Sequence, residues 1–287
     1  PFVENSKPIP GAFIKKNNSM FSIRLPKTFQ DQKILNFFKR KKLGDLIKAS
    51  KEKKIFVNNM ERLKPWSPKI GQLYLIYQII LLNKRLTILE FGSGWSSLIF
   101  ACALDELKRK YFKEVKYLRK NDPFKLFSID NESKYLKISK TRVNKFKKKN
   151  KIISECSFNF SEVNMTNFNG FIATEYKKIP ACNPDLIFID GPGQFKVKGT
   201  ANGISTKHKD IMPMSCDVLK IEFFLLPGTI ILADGRGANC EFLRLNLKRK
   251  WVYKYFRKFD MHIFCLVDKT IGKYSENLIR FYRSKSK

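Results

Sequence analysis

The segment LTILEFGSGWSS at residues 86–97 constrains this chain more than any other part of it. An apolar run ends in Glu90, the glycines of a short loop follow at Gly92 and Gly94, and small residues then begin a helix. Glycine lets the backbone approach another group closely, and ligands bind open α/β sheets where the strands end. The segment therefore predicts a strand, a ligand-binding loop and a helix in direct succession.

From about residue 67 onward, short apolar runs alternate with stretches of helical character. The predicted strands lie at 87–91, 126–130, 157–163, 186–190, 229–234 and 261–267, and the helices between them at 71–82, 97–110, 133–147 and 239–250. Strands separated by helices of this length favour a mostly parallel sheet that is covered on both faces. The predicted fold class is therefore α/β, with a doubly wound sheet.

Two other segments differ from this pattern. Residues 1–66 are rich in Pro, Lys and Asn with short apolar bursts, which predicts an irregular or helical appendage to an α/β domain at 67–287. Between the strands predicted at 186–190 and 229–234 lies GPGQFKVKGTANGISTKHKDIMPM, which is longer than an ordinary strand-helix loop. Loops of that length are usually functional or disordered, so we predict a lid at about 191–215.

The charge of the chain is strongly positive, with 57 Lys and Arg residues against 25 Asp and Glu residues, a net charge of +32. Such an excess favours either a polyanionic partner, such as nucleic acid, an anionic membrane surface or an acidic substrate, or a solvated basic face, and the sequence leaves these open. The six cysteines are scattered singly without zinc-ligand spacing, which favours a reducing cytoplasm. The longest apolar run is too short to span a bilayer, so no transmembrane segment is expected.

Three further acids end predicted strands, namely Asp130, Asp190 and Asp234. A dinucleotide fingerprint would need a third glycine where this loop has Ser97, and an acid about 20 positions later. The next strand-end acid, Asp130, comes only at the end of the following strand. An NAD-dependent enzyme is therefore the second interpretation of the loop.

At EFGSGWSS and LFSIDNESKYLKIS the chain resembles class I S-adenosylmethionine-dependent methyltransferases. The resemblance implies a seven-stranded Rossmann-like methyltransferase fold and S-adenosylmethionine as cofactor. In that family the loop holds the methionyl part, and the acid that ends the second strand accepts the ribose hydroxyls. The implied cofactor-binding residues are Glu90, Gly92, Ser93, Gly94, Ser96, Asp130, Asn131 and Asp190.

The fourth and fifth predicted strands end in Asp190 and Asp234, a layout similar to metal-assisted O-methyltransferases that hold Mg²⁺ there. Because Gly235 follows Asp234, Asn239 is the candidate third ligand. Without a metal, Asp190 is a candidate general base or orients the substrate, and Asp234 would pair with Arg236 or with neighbouring backbone amides. The predicted catalytic set is completed by His208, in the lid, whose ordinary pKa is close to neutral.

The segments FIDGPGQF, STKHKDIMPM and LPGTIILADGRGANCEFLRLNLKRKW look like a bacterial branch of the methyltransferase superfamily associated with surface-polysaccharide genes. The resemblance implies methyl transfer to a hydroxyl oxygen of a sugar, a glycan or a small molecule. RNA or protein as the methyl acceptor stays open, as does an inactive methyltransferase-like subunit that binds RNA or has a structural role. Transfer to a nucleobase amine is disfavoured, because no Asn/Asp-Pro-Pro-aromatic tetrapeptide follows the fourth strand.

Overall fold

A computed structural model describes residues 23–52, 66–206 and 214–284 of the chain. The strands of the described part are β1 Thr87–Phe91, β2 Lys125–Asp130, β3 Glu155–Phe160, β4 Val163–Phe168, β5 Phe171–Tyr176, β6 Leu186–Ile189, β7 Met214–Ser215, β8 Ile230–Asp234, β9 Trp251–Phe256 and β10 Met261–Leu266. Its helices are α1 Asp31–Arg40, α2 Gly44–Ser50, α3 Ile70–Leu82, α4 Trp95–Val115, α5 Ser133–Asn150, α6 Asp217–Ile221, α7 Gly237–Asn246 and α8 Gly272–Arg283.

The central sheet has seven strands in the order β3-β2-β1-β6-β8-β10-β9. Every described pairing among the first five is parallel, whereas β10 runs antiparallel to both of its neighbours. This is the predicted doubly wound, mostly parallel sheet of the Rossmann-like methyltransferase fold, which is confirmed. The strand order reverses between β1 and β6, and ligands bind at such a reversal, outside the carboxyl ends of the strands.

Burial explains why the central strands appear in the sequence as continuous apolar runs. Every residue of β1, β6 and β10 is buried, and β2 and β8 each have one partly exposed residue. A strand that is covered on both faces has no polar face and therefore shows no alternation in its sequence. The edge strands β3 and β9 are mostly half-buried.

Helices cover one face of the sheet. Side chains of α1 to α5 and of α8 share one apolar cluster with the strands, and α3 is buried along most of its length. Helices α1 and α2 pack against α3, and their residues Ile34, Phe38 and Leu46 are inaccessible or nearly so. The segment 23–52 thus shares its core with the sheet, while the division of the chain at residue 66 stays a prediction.

The opposite face differs from the expected layer of helices. A three-stranded sheet of order β4-β5-β7 lies there together with α6 and α7, and these elements form a second apolar cluster with the central strands. The connection from β3 to β6 is therefore a hairpin of β4 and β5 instead of a helix. Its turn is Asn169-Gly170, and both residues have positive φ, of 51° and 86°. Two residues with positive φ form the tight turn whose twist matches that of a hairpin.

Among the described residues, no helix combines the length and apolar character that a membrane span requires.

Candidate active site

Two glycine loops meet where the strand order of the central sheet reverses. Gly92 follows β1 with φ of +88°, and Gly191 lies two residues beyond the end of β6. A Cβ atom built on Gly92 would lie 2.6 Å from the backbone nitrogen of Gly191, closer than any side chain allows. The absence of a side chain on Gly92 therefore lets the loop after β1 pack directly on the loop after β6.

Glu90 lies inside the protein, beneath this loop. Its carboxylate accepts hydrogen bonds from Ser96 Oγ at 2.5 Å and from Ser97 Oγ at 2.6 Å, both in the first turn of α4. Burial raises the pKa of Glu90 to about 8, although the serine hydroxyls oppose the shift. Because Glu90 is fully inaccessible, its carboxylate holds α4 against β1 in this arrangement.

Asp130 joins the end of β2 to the glycine loop. Its Oδ2 accepts hydrogen bonds from the backbone nitrogen of Ser93 at 2.8 Å and from Ser93 Oγ at 2.6 Å. Its Oδ1 accepts one bond, from the backbone nitrogen of Glu132 at 2.8 Å. Burial raises the pKa of Asp130, and the hydrogen bonds from Ser93 and Glu132 lower it in part.

Asn131, the next residue, connects the end of β2 to the turn after β6. Its Nδ2 donates to the carbonyl of Gly193 at 2.8 Å, and its Oδ1 accepts from the nitrogen of Gly193 at 2.8 Å. Beside it, Lys196 Nζ lies 2.7 Å from Glu132 Oε2. The start of the predicted lid therefore rests on residues 131–132, and the cofactor-binding role of Asn131 stays a prediction.

Asp190 is the exposed acid of the site. Its carboxylate accepts no hydrogen bond from the described part of the chain, while its backbone carbonyl accepts one from Arg236 at 2.7 Å. Surrounding protein displaces part of its hydration, and the carboxylate of Asp234 repels its charge. Both effects raise the pKa of Asp190, and the cations of Arg236 and Lys69 oppose them.

Asp234 has partners that the sequence did not indicate. Its Oδ1 accepts hydrogen bonds from Gln72 Nε2 at 2.6 Å and from Lys69 Nζ at 3.0 Å, at and just before the start of α3. The expected pairing of Asp234 with Arg236 is wrong, because the Arg236 guanidinium donates to the carbonyls of Asp190 and Pro192. Asp234 therefore attaches α3 to the end of β8.

The structure does not support the predicted magnesium site. Asn239, the expected third ligand, uses its Oδ1 to accept a hydrogen bond from the nitrogen of Ser215 at 2.6 Å. The Oδ1 of Asp234 already accepts two bonds from α3 and the residue before it. Across residues 23–52, 66–206 and 214–284, no three His, Cys, Asp or Glu side chains group as metal ligands would.

Tyr176, at the end of β5, is a site residue that sequence reasoning missed. Its ring stacks on Phe91 with centroids 5.6 Å apart, and its hydroxyl would lie 2.8 Å from a Cβ atom on Gly191. The hydroxyl is buried and has no hydrogen-bond partner within the described residues. Desolvation and the charge of Asp130 raise the pKa of Tyr176, so the hydroxyl keeps its proton and is available as a donor.

Arg142 of α5 was also missed. Its guanidinium lies 4.0 Å from the centre of the Trp95 ring and donates to the carbonyl of Gly94 at 3.2 Å. It holds the last residue of the glycine loop from outside. Burial lowers the pKa of Arg142 to about 10, so it remains charged at neutral pH.

The structure describes His262 but not His208. His208 lies outside the described residues, so its place in the site stays a prediction. His262 of β10 lies between Tyr253 and Tyr255, and its Nδ1 is 2.8 Å from the Tyr253 hydroxyl. His262 is therefore part of the central sheet, and these contacts are with the neighbouring strand β9.

Comparisons with known proteins give little beyond this geometry. No family model matches the sequence, and no curated protein matches it. Among solved structures, the chain is similar to a methyltransferase-like protein from Silicibacter pomeroyi DSS-3, at 12% identity and a TM-score of 0.30. That similarity covers 72% of this chain and 91% of the other. The strand order of the central sheet is what assigns the fold.

Proposed function

We propose that this chain transfers the methyl group of S-adenosylmethionine to a hydroxyl oxygen of a sugar, a glycan or a small molecule. The observation that carries the proposal is the contact of Asp130 with Ser93. It places the acid that ends β2 against the glycine loop, where the strand order reverses and ligands bind.

The residues around the loop fit such a cofactor. Within the described residues Asp130 Oδ1 accepts a single hydrogen bond, and a carboxylate oxygen has two lone pairs, so it can accept one ribose hydroxyl. A Cβ atom on Gly94 would meet nothing closer than Ser96 Oγ, at 3.7 Å. The loop is therefore open toward a ligand at Gly94 and closed against β6 at Gly92.

Charge at one position suits this cofactor. The carboxyl edge of the sheet brings acids and cations together, and Asp234 and Glu132 are paired there with Lys69 and Lys196. The carboxylate of Asp190 accepts no hydrogen bond from the described residues, so it would attract the positively charged sulfonium and ammonium groups of S-adenosylmethionine.

S-adenosylmethionine supplies a methyl group on a positively charged sulfur, which leaves as a neutral thioether when the methyl group is transferred. The protein positions the acceptor oxygen and takes its proton. Asp190 suits the second task, since its carboxylate is exposed and accepts no hydrogen bond from the described residues. Its raised pKa brings it closer to neutral pH, where a general base works best.

Asp234 and Tyr176 have supporting roles in this proposal. Asp234 is held by Lys69 and Gln72, so it acts on Asp190 through its charge. The hydroxyl of Tyr176, which has no hydrogen-bond partner among the described residues, lies beside Gly191 and would donate a hydrogen bond to a bound ligand. No step is assigned to a metal, because two of the three predicted ligand side chains, Asp234 and Asn239, use their Oδ1 atoms in hydrogen bonds within the protein.

Calorimetric titration with S-adenosylmethionine and S-adenosylhomocysteine tests the proposal, in magnesium and in chelator. We expect micromolar binding that Asp130→Ala weakens by about tenfold or more, since a hydrogen bond to a charged group is lost. Glu155→Gln is the matched control, because it removes an exposed carboxylate at the opposite end of the neighbouring strand β3. Absence of binding to the wild-type protein, or an equal loss in both variants, would refute the proposal.

A panel of acceptors then identifies the substrate class. We expect methyl transfer to sugar or glycan hydroxyls, in keeping with the resemblance to the branch associated with surface-polysaccharide genes. RNA is the alternative that the positive charge suggests. An RNA acceptor would bind with an affinity that falls steeply as salt rises, whereas a neutral sugar would bind with little salt dependence.

A further inference from the structure

The amino edge of the central sheet, opposite the candidate active site, has a groove of about 520 Å³. Its walls are the segment 119–122 after α4, the segment 181–183 before β6, Leu226, and one face of α8. A volume of this size is within the range that binds small organic ligands. Nothing in the proposed methyl transfer uses this groove.

One cation of the groove has no acidic partner in the described part of the chain. The guanidinium of Arg119 lies 5.0 Å from the centre of the Tyr274 ring and forms no ion pair there. Its neighbour Lys120, by contrast, is 3.2 Å from Asp185 Oδ2, and both of these side chains are almost fully buried. Because no acid of the described residues neutralises the Arg119 guanidinium, it can bind an anion from solution.

The other charged group of the lining is already neutralised. Asp122 Oδ1 accepts a hydrogen bond from Lys125 Nζ at 2.9 Å. Since Lys120 and Asp122 are each paired, the unbalanced charge that faces the groove is that of Arg119.

A buried hydroxyl also lacks a partner in the groove. Ser275 lies in the first turns of α8, and 3% of its surface is accessible. Its Oγ has no hydrogen-bond partner within the described residues, and the residue lines the groove. A buried hydroxyl without a partner loses free energy relative to water, so a ligand atom that binds it would restore the lost interaction.

The start of α8 points to the same kind of ligand. No side chain caps this helix, and its first turn contains no acidic residue. The first backbone N–H groups of a helix have no partner within the helix, and together with the helix dipole they favour an anion. Leu226 and Leu278 add an apolar wall beside these donors.

We propose that this groove binds a small phosphorylated organic molecule. Its phosphate would be held by Arg119, the Ser275 hydroxyl and the first turn of α8, and its apolar body would lie against Leu226 and Leu278. Arginine binds phosphate with two parallel hydrogen bonds. A tetrahedral phosphate presents oxygens in several directions, so it suits donors that come from separate elements better than a planar carboxylate does.

Titration of the full chain with phenyl phosphate, inorganic phosphate, benzoate and phenol tests the inference by calorimetry. We expect phenyl phosphate to bind most tightly, because it alone has both the phosphate and an apolar ring. Arg119→Gln should weaken its binding by about tenfold, the order expected for a hydrogen bond to a charged group. Ser275→Ala should weaken it by about fivefold, as for one neutral hydrogen bond.

Lys116→Gln is the matched control. Lys116 caps the end of α4 and lies over Phe112, outside the groove, so this variant removes the same charge from a nearby position. We expect its affinity for phenyl phosphate to stay within about twofold of the wild-type value, the scale of a screened surface charge.

Three results would overturn the inference. The first is the absence of saturable binding of phenyl phosphate to the wild-type protein. The second is an equal loss in Arg119→Gln and Lys116→Gln, which would assign the effect to overall charge. The third is tighter binding of benzoate, which would assign a carboxylate ligand. Because the titration needs neither cofactor nor turnover, its result is independent of the proposed methyl transfer.

Discussion

Strand β6 has an aspartate at each end, and the two residues have opposite surroundings. Asp185, before the strand, accepts hydrogen bonds from the two backbone amides that begin β1 and from Tyr282 Oη, and it pairs with Lys120. Asp190, after the strand, is exposed and its carboxylate accepts no bond from the described residues. The same residue type therefore stabilises the fold at the amino edge and is available for chemistry at the carboxyl edge.

The difference follows from what surrounds each end of the strand. At the amino edge, α8 and the segment after α4 supply donors that fully satisfy Asp185. At the carboxyl edge, the neighbour of Asp190 is another acid, Asp234, which repels it. The oxygens of Asp185 are therefore occupied within the fold, whereas Asp190 is exposed beside a second acid that raises its pKa.

The largest expected effect is that of Asp190→Asn. If Asp190 is the general base, the rate of methyl transfer to the best acceptor should fall by about 100-fold or more, the usual contribution of such a group. The free energy of unfolding should not fall, because no donor among the described residues loses its partner and the repulsion by Asp234 is removed. Initial rates and urea unfolding measure the two quantities. A rate within tenfold of the wild-type rate would contradict the assignment.

Asp185→Asn is the matched variant at the other end of the strand. It should lower the free energy of unfolding by about 3 kcal/mol, because Lys120 would remain buried without its counter-charge. The rate per folded molecule should stay at the wild-type level. Urea unfolding and active-site titration separate the two effects, and a rate loss as large as that of Asp190→Asn would remove the distinction between the two edges.

Glu90→Gln tests the buried acid of the carboxyl edge through the pH dependence of the free energy of unfolding. The pKa of Glu90 is raised from its ordinary value of 4.5 to about 8, so the folded state keeps a proton that the unfolded state releases. Wild-type stability is therefore lost as pH rises through this interval, and the glutamine variant lacks that loss. Unfolding at a series of pH values should show a stability difference that grows from pH 4.5 to about 8 and is then constant. A stability difference that is independent of pH would contradict the raised pKa of Glu90.

Asp234→Asn has the smallest expected effect and tests how the two acids of the carboxyl edge interact. Removal of its charge lowers the pKa of Asp190, so the acid limb of the pH-rate profile should move to lower pH. Asp260→Asn is the control, since Asp260 is also within 3.9 Å of Lys69 Nζ. An unchanged acid limb in Asp234→Asn would show that Asp190 does not determine that limb.

The sequence predicted the central strands well, because burial on both faces turns each into a continuous apolar run. The predicted strand at 87–91 matches β1 residue for residue, and the helix predicted at 71–82 begins one residue late. The loop between β1 and α4 was readable because its glycines are required locally, at Gly92 by a positive φ and a close contact.

Other elements were missed although one of them has a clear signal. The hairpin of β4 and β5 was not predicted, yet Asn169-Gly170 between two six-residue runs is the usual sequence of a two-residue turn. Its polar strand residues, Asn164 and Thr166 among them, do not resemble a buried strand. Strand β9 and helix α8 were also left unassigned.

A tertiary contact ends α7 earlier than the local sequence pattern predicts. The predicted helix at 239–250 continues through a basic stretch, but α7 ends at Asn246. The carboxylate of Glu222 accepts hydrogen bonds from the backbone nitrogens of Lys248 and Arg249 and from Trp251 Nε1. Those amides are directed to a distant side chain, so the helix cannot use them.

The sequence by itself determined the buried strands of the central sheet, the glycine loop and the presence of acids at strand ends, because periodicity and glycine geometry are local properties. Only the tertiary structure decided which acid accepts hydrogen bonds from the described residues and which accepts none. The partners of Asp130 and Asp234 are 37 and 165 residues away along the chain. Such partners depend on how elements pack, and the packing of distant elements leaves no periodic trace in the sequence.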